Sequence, residues 1–190
     1  MSPSGRRWAV AGLLLASLSV ATRASAQQAA VPVDLQFSLF FRILTYDRTL
    51  AQRSSGGLVI GIVYQPTVRA SVLAKDAALR QRPPREAGYV VRMVPIELDD
   101  STDVVEAAEA AGCDILYVTP LRAVSLSHLV AEARDRGLLT LTGVPEYVAA
   151  GLAIGIGLRG DRPEILVNLA AAREEGADLS AQLLHLARVW

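Results

Sequence analysis

The feature that most constrains the fold of this chain is a repeated order of helix, glycine and β-branched strand. The first copy is a helix that ends before Gly112 and leads into the apolar run Asp114–Thr119. The second is a helix that ends before Gly137 and leads into Leu138–Thr142. Strands that alternate with helices in this way are typical of βαβ units. The sequence therefore predicts a three-layer α/β domain, with a mostly parallel sheet flanked by helices.

Further elements are expected on both sides of this repeat. A strand, a helix and a second strand precede it, at Leu58–Tyr64, Val68–Gln81 and Tyr89–Ile96. Near the C-terminus, two strand-like stretches are joined by only five residues, which predicts an antiparallel hairpin of Ala153–Leu158 and Glu164–Asn168. Two short helices are expected to close the chain, at Ala170–Glu175 and Ala181–Val189.

The first 26 residues have the pattern of a secretory signal peptide. Arg6 and Arg7 precede an apolar run, and the small residues Ala24-Ser25-Ala26 fit a cleavage site after Ala26. The apolar run is shorter than the about 20 residues that span a membrane, and no other stretch approaches that length without charge. We therefore expect a periplasmic protein that does not span the membrane, with residues 27–190 as a single domain.

The charge balance argues against nucleic acid as a partner. Nineteen basic residues match nineteen acidic ones. Losing the signal peptide removes Arg6, Arg7 and Arg23 from that basic total, which leaves sixteen basic against nineteen acidic residues. A mature chain with a net charge near −3 lacks the basic surface that binds phosphate backbones.

No pattern in the sequence indicates an enzyme, a metal site or a cofactor. His128 and His185 lie on separate predicted helices, and no serine stands in a G-x-S-x-G elbow. Residues 155–160 spell G-x-G-x-x-G, but a strand rather than a helix follows them, so a dinucleotide site is not expected. The single cysteine, Cys113, leads into a core strand, where burial or an intermolecular bridge are the alternatives.

Two regions are candidates for contacts with other molecules. The first predicted helix, Leu35–Leu50, is apolar on most sides, so Phe37 and Phe41 either pack in the core or face a partner. Ligands of open parallel sheets bind beyond the carboxyl ends of the strands. Tyr64 and Arg122 follow two of these strands, and they are candidate ligand-binding residues if the loops there are more than connections.

The C-terminal tail carries the most specific pattern of the chain. From Glu164 it reads EILVNLAAAR, followed from Glu174 by EEGADLSAQLLHLAR. This tail resembles the closing segment of the YfiR family of small periplasmic proteins. In this family an asparagine-leucine pair ends a strand, an alanine-arginine helix and a glycine follow, and a serine-capped leucine-rich helix ends in L-A-R. The matching positions, expected to be mainly structural, are Asn168, Gly176, Ser180 and Leu184.

The resemblance implies a periplasmic, often dimeric α/β domain that is not an enzyme. In the best-known system of the family, such a protein binds the periplasmic domain of an inner-membrane diguanylate cyclase and represses it, which lowers cyclic di-GMP and biofilm formation. Other members of the family look similar in role but serve different membrane sensors, including histidine kinases. We therefore expect a homodimer that contacts such a sensor through residues of its first helix and its tail, namely Phe37, Phe41, Arg173, His185 and Arg188.

Two points qualify the resemblance. The best-known members carry internal disulfides, whereas Cys113 has no second cysteine in this chain to pair with. A different class is also compatible with the sequence, namely a single-lobe periplasmic solute-binding or sensor protein that holds a small molecule at the strand ends. Such proteins usually have two lobes, and this chain has enough residues for only one.

Overall fold

The computed structural model describes residues 31–53, 57–84, 88–99, 103–123 and 125–190. The predicted signal peptide at residues 1–26 and its cleavage site lie outside these residues. Within them the chain forms one sheet with helices on both of its faces, as the sequence predicted.

The sheet contains seven strands in the described part of the chain. In chain order, β1 to β7 are Leu58–Tyr64, Val91–Glu97, Ile115–Val118, Leu139–Thr142, Ile154–Arg159, Arg162–Val167 and Ala187–Val189. Their spatial order is β2-β1-β3-β4-β5-β6-β7. The first five strands are parallel, β6 is antiparallel to β5, and β7 is parallel to β6. The predicted mostly parallel sheet with a C-terminal antiparallel hairpin is confirmed.

The helices connect and flank these strands. In chain order, α1 to α8 are Val33–Leu44, Leu50–Arg53, Arg69–Leu79, Val104–Ala110, Leu126–Asp135, Pro145–Ala149, Leu169–Glu174 and Ala181–Leu186. The two glycines of the repeat, Gly112 and Gly137, follow α4 and α5 with φ values of +66° and +65°. Glycine adopts this left-handed conformation without a steric penalty, so both helices end where the sequence predicted.

Each face of the sheet carries its own apolar core, which gives the molecule its three layers. On one face, Phe37 and Phe40 of α1 pack against Tyr117 of β3, with ring centroids 4.8 and 6.0 Å apart. On the other face, Val105 of α4 and Val130 of α5 belong to a second cluster that covers β3. Burial of these two faces is the main source of stability for such a layered domain.

Three features differ from the sequence prediction by more than two residues. The first helix ends at Leu44 rather than at residue 50, and the short α2 follows it. The last helix ends at Leu186, and the three residues after it form β7 beside β6. The five-residue α6, which begins at Pro145, was not predicted. Residues Ala187–Val189 form a strand because pairing with β6 satisfies their backbone groups, and this outweighs the helical spacing of their apolar side chains.

Candidate functional site

The carboxyl ends of β1 and β3 are where the sequence placed a ligand site. At this point Tyr64 donates its hydroxyl to Glu97 Oε2 at 2.9 Å, and the ammonium of Lys75 lies 4.7 Å from the Tyr64 ring centroid. The hydrogen bond to Glu97 raises the pKa of Tyr64, and burial adds to this effect. Arg122 is exposed, and its backbone N–H donates to Gln65 Oε1 at 2.9 Å.

Buried hydroxyls occupy the space between these two strand ends. Thr119 donates to the carbonyl of Val63 at 2.8 Å, so the hydroxyl of Ser71 donates in turn to Thr119 Oγ1 at 2.6 Å. Ser71 Oγ also accepts from the backbone N–H of Gln65 at 2.8 Å. This chain of hydrogen bonds fills the position where the strand order reverses, between β1 and β3. A binding role of Tyr64 and Arg122 at this position stays a prediction.

A cavity lies further along the same edge of the sheet, above the end of β4. Its volume is about 800 Å³, within the range of small-molecule sites. Its walls come from the starts of α1 and α3, from the residues that follow β3 and β4, and from β5, β6 and β7. Neither Tyr64 nor Arg122 lines it. The walls are mainly apolar, and they include Val33, Leu73, Pro145, Ile156 and Leu158.

Gln36 and Gly143 form one polar corner of this cavity. The side-chain amide of Gln36 donates to the carbonyl of Val31 at 2.6 Å and accepts from the Tyr117 hydroxyl at 2.8 Å. A Cβ atom at Gly143 would overlap the Gln36 amide. Glycine at this position therefore allows α1 to lie directly over the end of β4.

Glu164 of β6 forms the second polar corner. Its side chain is only 8% exposed, and it pairs with Arg159 and with Arg188, whose Nη1 lies 3.4 Å from Glu164 Oε2. Two guanidinium groups compensate the desolvation of this buried carboxylate. Arg188 of β7 thus lines the cavity while the rest of β7 lies at the outer edge of the sheet.

The outer edge at β7 carries an exposed apolar surface, which we call the C-terminal patch. Its apolar members are Leu186, Val189 and Trp190, which are 65%, 40% and 48% exposed. His185 and Arg188 are exposed beside them, and the Arg188 guanidinium lies 4.6 Å from the Trp190 ring centroid. The C-terminal patch consists of these five residues. Exposed apolar side chains that are rimmed by polar ones are typical of protein–protein contact surfaces.

The partner-binding residues predicted from the sequence separate into two groups. The first group is exposed: His185 and Arg188 lie in the C-terminal patch, and Arg173 lies on α7. The start of α7 is joined to the patch, because the N–H of Leu169 donates to the Trp190 carbonyl at 3.4 Å. Phe37 and Phe41 are 0% and 2% exposed and pack in the core. Their interpretation as partner contacts is corrected to core packing, the alternative that their helical spacing had left open.

The tail positions of the sequence pattern mainly organise backbone. Asn168 Oδ1 accepts from the N–H of Ala171 at 3.1 Å, and Ser180 Oγ accepts from the N–H of Leu183 at 3.4 Å, so the two residues cap α7 and α8. Gly176 follows α7 and leaves space for the Arg53 guanidinium. Leu184 is partly buried against the main core cluster.

The remaining side chains that could act as nucleophiles, acids, bases or metal ligands lie apart from one another. Cys113 is buried, and desolvation raises the pKa of its thiol to about 11. His128 lies 3.4 Å from Glu132 on the same helix. In residues 31–53, 57–84, 88–99, 103–123 and 125–190, no three potential metal ligands lie together. Among the helices of those same segments, none is long and apolar enough to cross a membrane.

Comparison with known proteins places this architecture in a family. A family model described as YfiR/HmsC-like (DUF4154) matches residues 34–188. The chain belongs to the YfiR/HmsC-like family. The resemblance drawn from the tail is thereby confirmed. No curated protein matches the sequence.

Several solved structures share the fold of this YfiR/HmsC-like domain. A conserved domain protein from Vibrio cholerae has a TM-score of 0.57 at 18% identity over 85% of this chain and 60% of its own. An ABC domain from Streptococcus pneumonia, in complex with L-Trp, gives 0.58 at 10% identity over 83% and 61%. A ligand-free, open substrate-binding protein with adhesive properties from Clostridium difficile gives 0.52 at 15% identity over 75% and 57%. The YfiR/HmsC-like chain thus spans about 60% of the length of the first of these relatives.

Sequence reasoning missed the cavity of this YfiR/HmsC-like domain, although the ligand site that it predicted lies at the same edge of the sheet. The cavity depends on β5 extending beyond β4, which no local pattern reports. One signal was available in the sequence. Gly143 follows a predicted strand and Gly157 lies inside one, and glycine at such positions indicates a close approach of another group to the backbone. The C-terminal patch was missed in part because Leu186 and Val189 fit the apolar spacing of a helix.

Proposed function

We propose that this protein is an exported, non-enzymatic regulator that binds the periplasmic domain of an inner-membrane signalling protein and represses it. The target is a diguanylate cyclase or a sensor kinase, so the output is cyclic di-GMP and biofilm signalling or a kinase response. The observation that carries this proposal is membership of the YfiR/HmsC-like family over residues 34–188. The chain is proposed to act in the periplasm after cleavage behind Ala26, and to form a homodimer.

Repression by binding requires a difference in affinity between two states of the target. The regulator shifts the target only by as much as it prefers the inactive conformation. Moving the target from 1:99 to 99:1 needs roughly 5.5 kcal/mol of such preference. The C-terminal patch supports this mechanism, because its exposed tryptophan lies beside an arginine, and these two residue types are enriched in binding hot spots.

Binding to the target can be measured directly. The probe is the purified periplasmic domain of the membrane-bound cyclase or kinase encoded next to this gene. Val189→Asp places a charge in the C-terminal patch, and we expect it to weaken binding at least tenfold. Val90→Asp is the matched control, since Val90 is 76% exposed and immediately precedes β2, the opposite edge strand. Equal affinities of the two variants would exclude the C-terminal patch.

Repression itself is tested in cells. Deleting the gene should raise cyclic di-GMP or the kinase output, and the intact gene should restore it. An unchanged output of every neighbouring cyclase and kinase would contradict the regulatory function. Amino-terminal sequencing of the periplasmic fraction should begin at Gln27, and light scattering of the mature protein should report a dimer.

A second candidate is a single-lobe solute-binding or sensor protein. It is favoured by the fold likeness to substrate-binding domains and by the cavity above β4. A solute at 100 times its dissociation constant would add about 2.7 kcal/mol to the free energy of unfolding. Thermal unfolding in the presence of candidate solutes therefore separates this candidate from a regulator that binds only protein.

A further inference from the structure

Arg188 brings a cationic group with free hydrogen-bond donors to the cavity above β4. Its side chain is 48% exposed and lines the cavity from β7. Within the described residues, its guanidinium contacts Glu164 Oε2 at 3.4 Å and the Trp190 ring, whose centroid lies 4.6 Å away. Neither contact is a hydrogen bond, so the N–H groups of this guanidinium have no acceptor in the described part of the chain.

The charges around Arg188 favour a ligand with a single negative charge. Glu164 is buried between Arg188 and Arg159, so this corner of the cavity has two positive charges and one negative. A monoanion would balance the remaining positive charge, whereas a dianion such as phosphate would leave a negative charge uncompensated beside the buried Glu164. Glu146 of α6 also lines the cavity, but it is exposed, so solvent screens its charge. Arginine binds a carboxylate through two parallel hydrogen bonds.

The other walls of the cavity suit an apolar body. Leu73 of α3 lines the cavity and is 58% exposed, and Val33 and Leu158 are partly buried there. An apolar molecule that lies against these side chains would remove their surface from water. The Gln36 amide is already hydrogen-bonded within the protein through both its nitrogen and its oxygen, so it does not select for a polar ligand.

We infer that the cavity above β4 binds a small apolar molecule that carries one carboxylate. The carboxylate accepts hydrogen bonds from Arg188, and the apolar body covers Leu73, Val33 and Leu158. One charged anchor among apolar walls is a common arrangement in small-molecule sites. The inference rests on the second candidate function, that of a solute-binding or sensor protein, and it names the class of solute.

Trp190 gives this site a spectroscopic reporter. The sequence contains two tryptophans, and the other one, Trp8, lies in the predicted signal peptide. Trp190 is therefore the single tryptophan of residues 27–190, and its ring lies against the Arg188 guanidinium. A carboxylate that binds Arg188 changes the charge beside this ring, so binding should change the fluorescence emission of Trp190.

A comparison of headgroups tests the requirement for a carboxylate. The probes are octanoate and phenylbutanoate, and octanol and octylammonium offer the octanoate chain with a neutral and a cationic headgroup. Titrations of the mature protein, followed by Trp190 emission and by calorimetry, should show a carboxylate probe binding at least tenfold more tightly than octanol or octylammonium. Equal binding of the three headgroups, or no saturable binding of either carboxylate, would overturn the inference. Thermal stabilisation by solutes without a carboxylate would then still support the second candidate function.

Arg188→Gln tests the anchor. It removes the positive charge and keeps a long polar side chain, so we expect the affinity for octanoate to fall at least tenfold while that for octanol stays as in the parent. Arg162→Gln is the matched control, because Arg162 is exposed on the neighbouring strand β6 and does not line the cavity. A folded Arg188→Gln protein that still prefers octanoate to octanol as strongly as the parent does would refute the role of Arg188.

Leu73→Asp tests the location of the apolar body. Since Leu73 is 58% exposed, the substitution should leave the fold intact, and it places a charge where the apolar body would lie. We expect the affinity for octanoate to fall at least fivefold. Leu35→Asp is the matched control, at a leucine of α1 that is 39% exposed and outside the cavity walls, and it should bind as the parent does. Undiminished binding by the Leu73→Asp protein would place the ligand outside this cavity and contradict the inference.

Discussion

Thr140 donates both its backbone N–H and its hydroxyl to the carboxylate of Glu175, at 2.7 and 2.9 Å. The same hydroxyl accepts from the N–H of Ala153 at 2.8 Å, and Glu175 is 0% exposed. The end of α7 is thereby joined to β4 through a buried carboxyl. Burial raises the pKa of Glu175 to about 7, although the Thr140 donors and the nearby Arg134 and Arg53 act in the opposite direction.

The raised pKa of Glu175 predicts a stability that falls as the pH rises from about 4.5 to 7. In this window the folded protein holds a proton that the unfolded chain has lost, so raising the pH favours unfolding. The loss is at most about 3 kcal/mol. Urea unfolding from pH 4.5 to 8 measures it, and Glu175→Gln should remove most of this dependence. The same slope in the parent and in the variant would contradict the role of Glu175.

Gly143→Ala is expected to destabilise the protein by about 2 kcal/mol. The added methyl group would displace the Gln36 amide from Val31 and Tyr117. In a Gln36→Ala background the same substitution should cost less, because the displaced amide is absent. Urea unfolding of the two single variants and the double variant measures this coupling, and strictly additive losses would show that the two residues act separately.

Phe37→Ala is expected to cost about 3–5 kcal/mol of unfolding free energy. Phe37 is fully buried, and its ring makes edge contacts with Phe40, Phe41 and Tyr117. Leu186→Ala in the C-terminal patch should change the stability by less than about 0.5 kcal/mol. Thermal and urea unfolding compare the two variants. A Phe37→Ala protein of parental stability would place this ring outside the core.

Cys113 is expected to resist alkylation in the folded protein. With a thiol pKa of about 11, only about one molecule in a thousand carries the reactive thiolate at pH 8. Its sulfur would also lie 3.0 Å from a Cβ atom at Gly61, which shows how closely the strand covers it. Mass spectrometry after iodoacetamide treatment should find modification only in urea. Rapid modification without denaturant would mean that the β3 end opens.

The repeated local patterns of the sequence were sufficient for most of the sheet. Gly112 and Gly137 mark helix ends by conformation alone, and branched runs mark the central strands, so the parallel part of the fold was predictable. The strand β7 was not, because Ala187–Val189 fits a helix and becomes a strand only by pairing with Ile165–Val167. Its neighbour lies some 20 residues away along the chain.

The candidate site depends more than the fold does on contacts between residues that are distant along the chain. Tyr64 and Arg122 were chosen from their positions after strands, but Ser71 fills the space between those strands with its hydroxyl. Glu164 gave no sequence signal, since its burial arises from two arginines that approach from different strands. Composition does not show which strand extends beyond its neighbour. The cavity beside the end of β5 therefore could not be predicted from the sequence.

The two margins of the sheet differ in a way that limits how copies of this molecule could stack. Pro95 lies in the middle of β2 and pairs with Ile62 of β1, so its nitrogen, which has no hydrogen, faces outward. That interruption discourages another chain from lengthening the sheet on this side. The margin at Ala187–Val189 carries no proline. A sheet with one obstructed and one open margin favours a single closed pairing of two copies over an endless fibre.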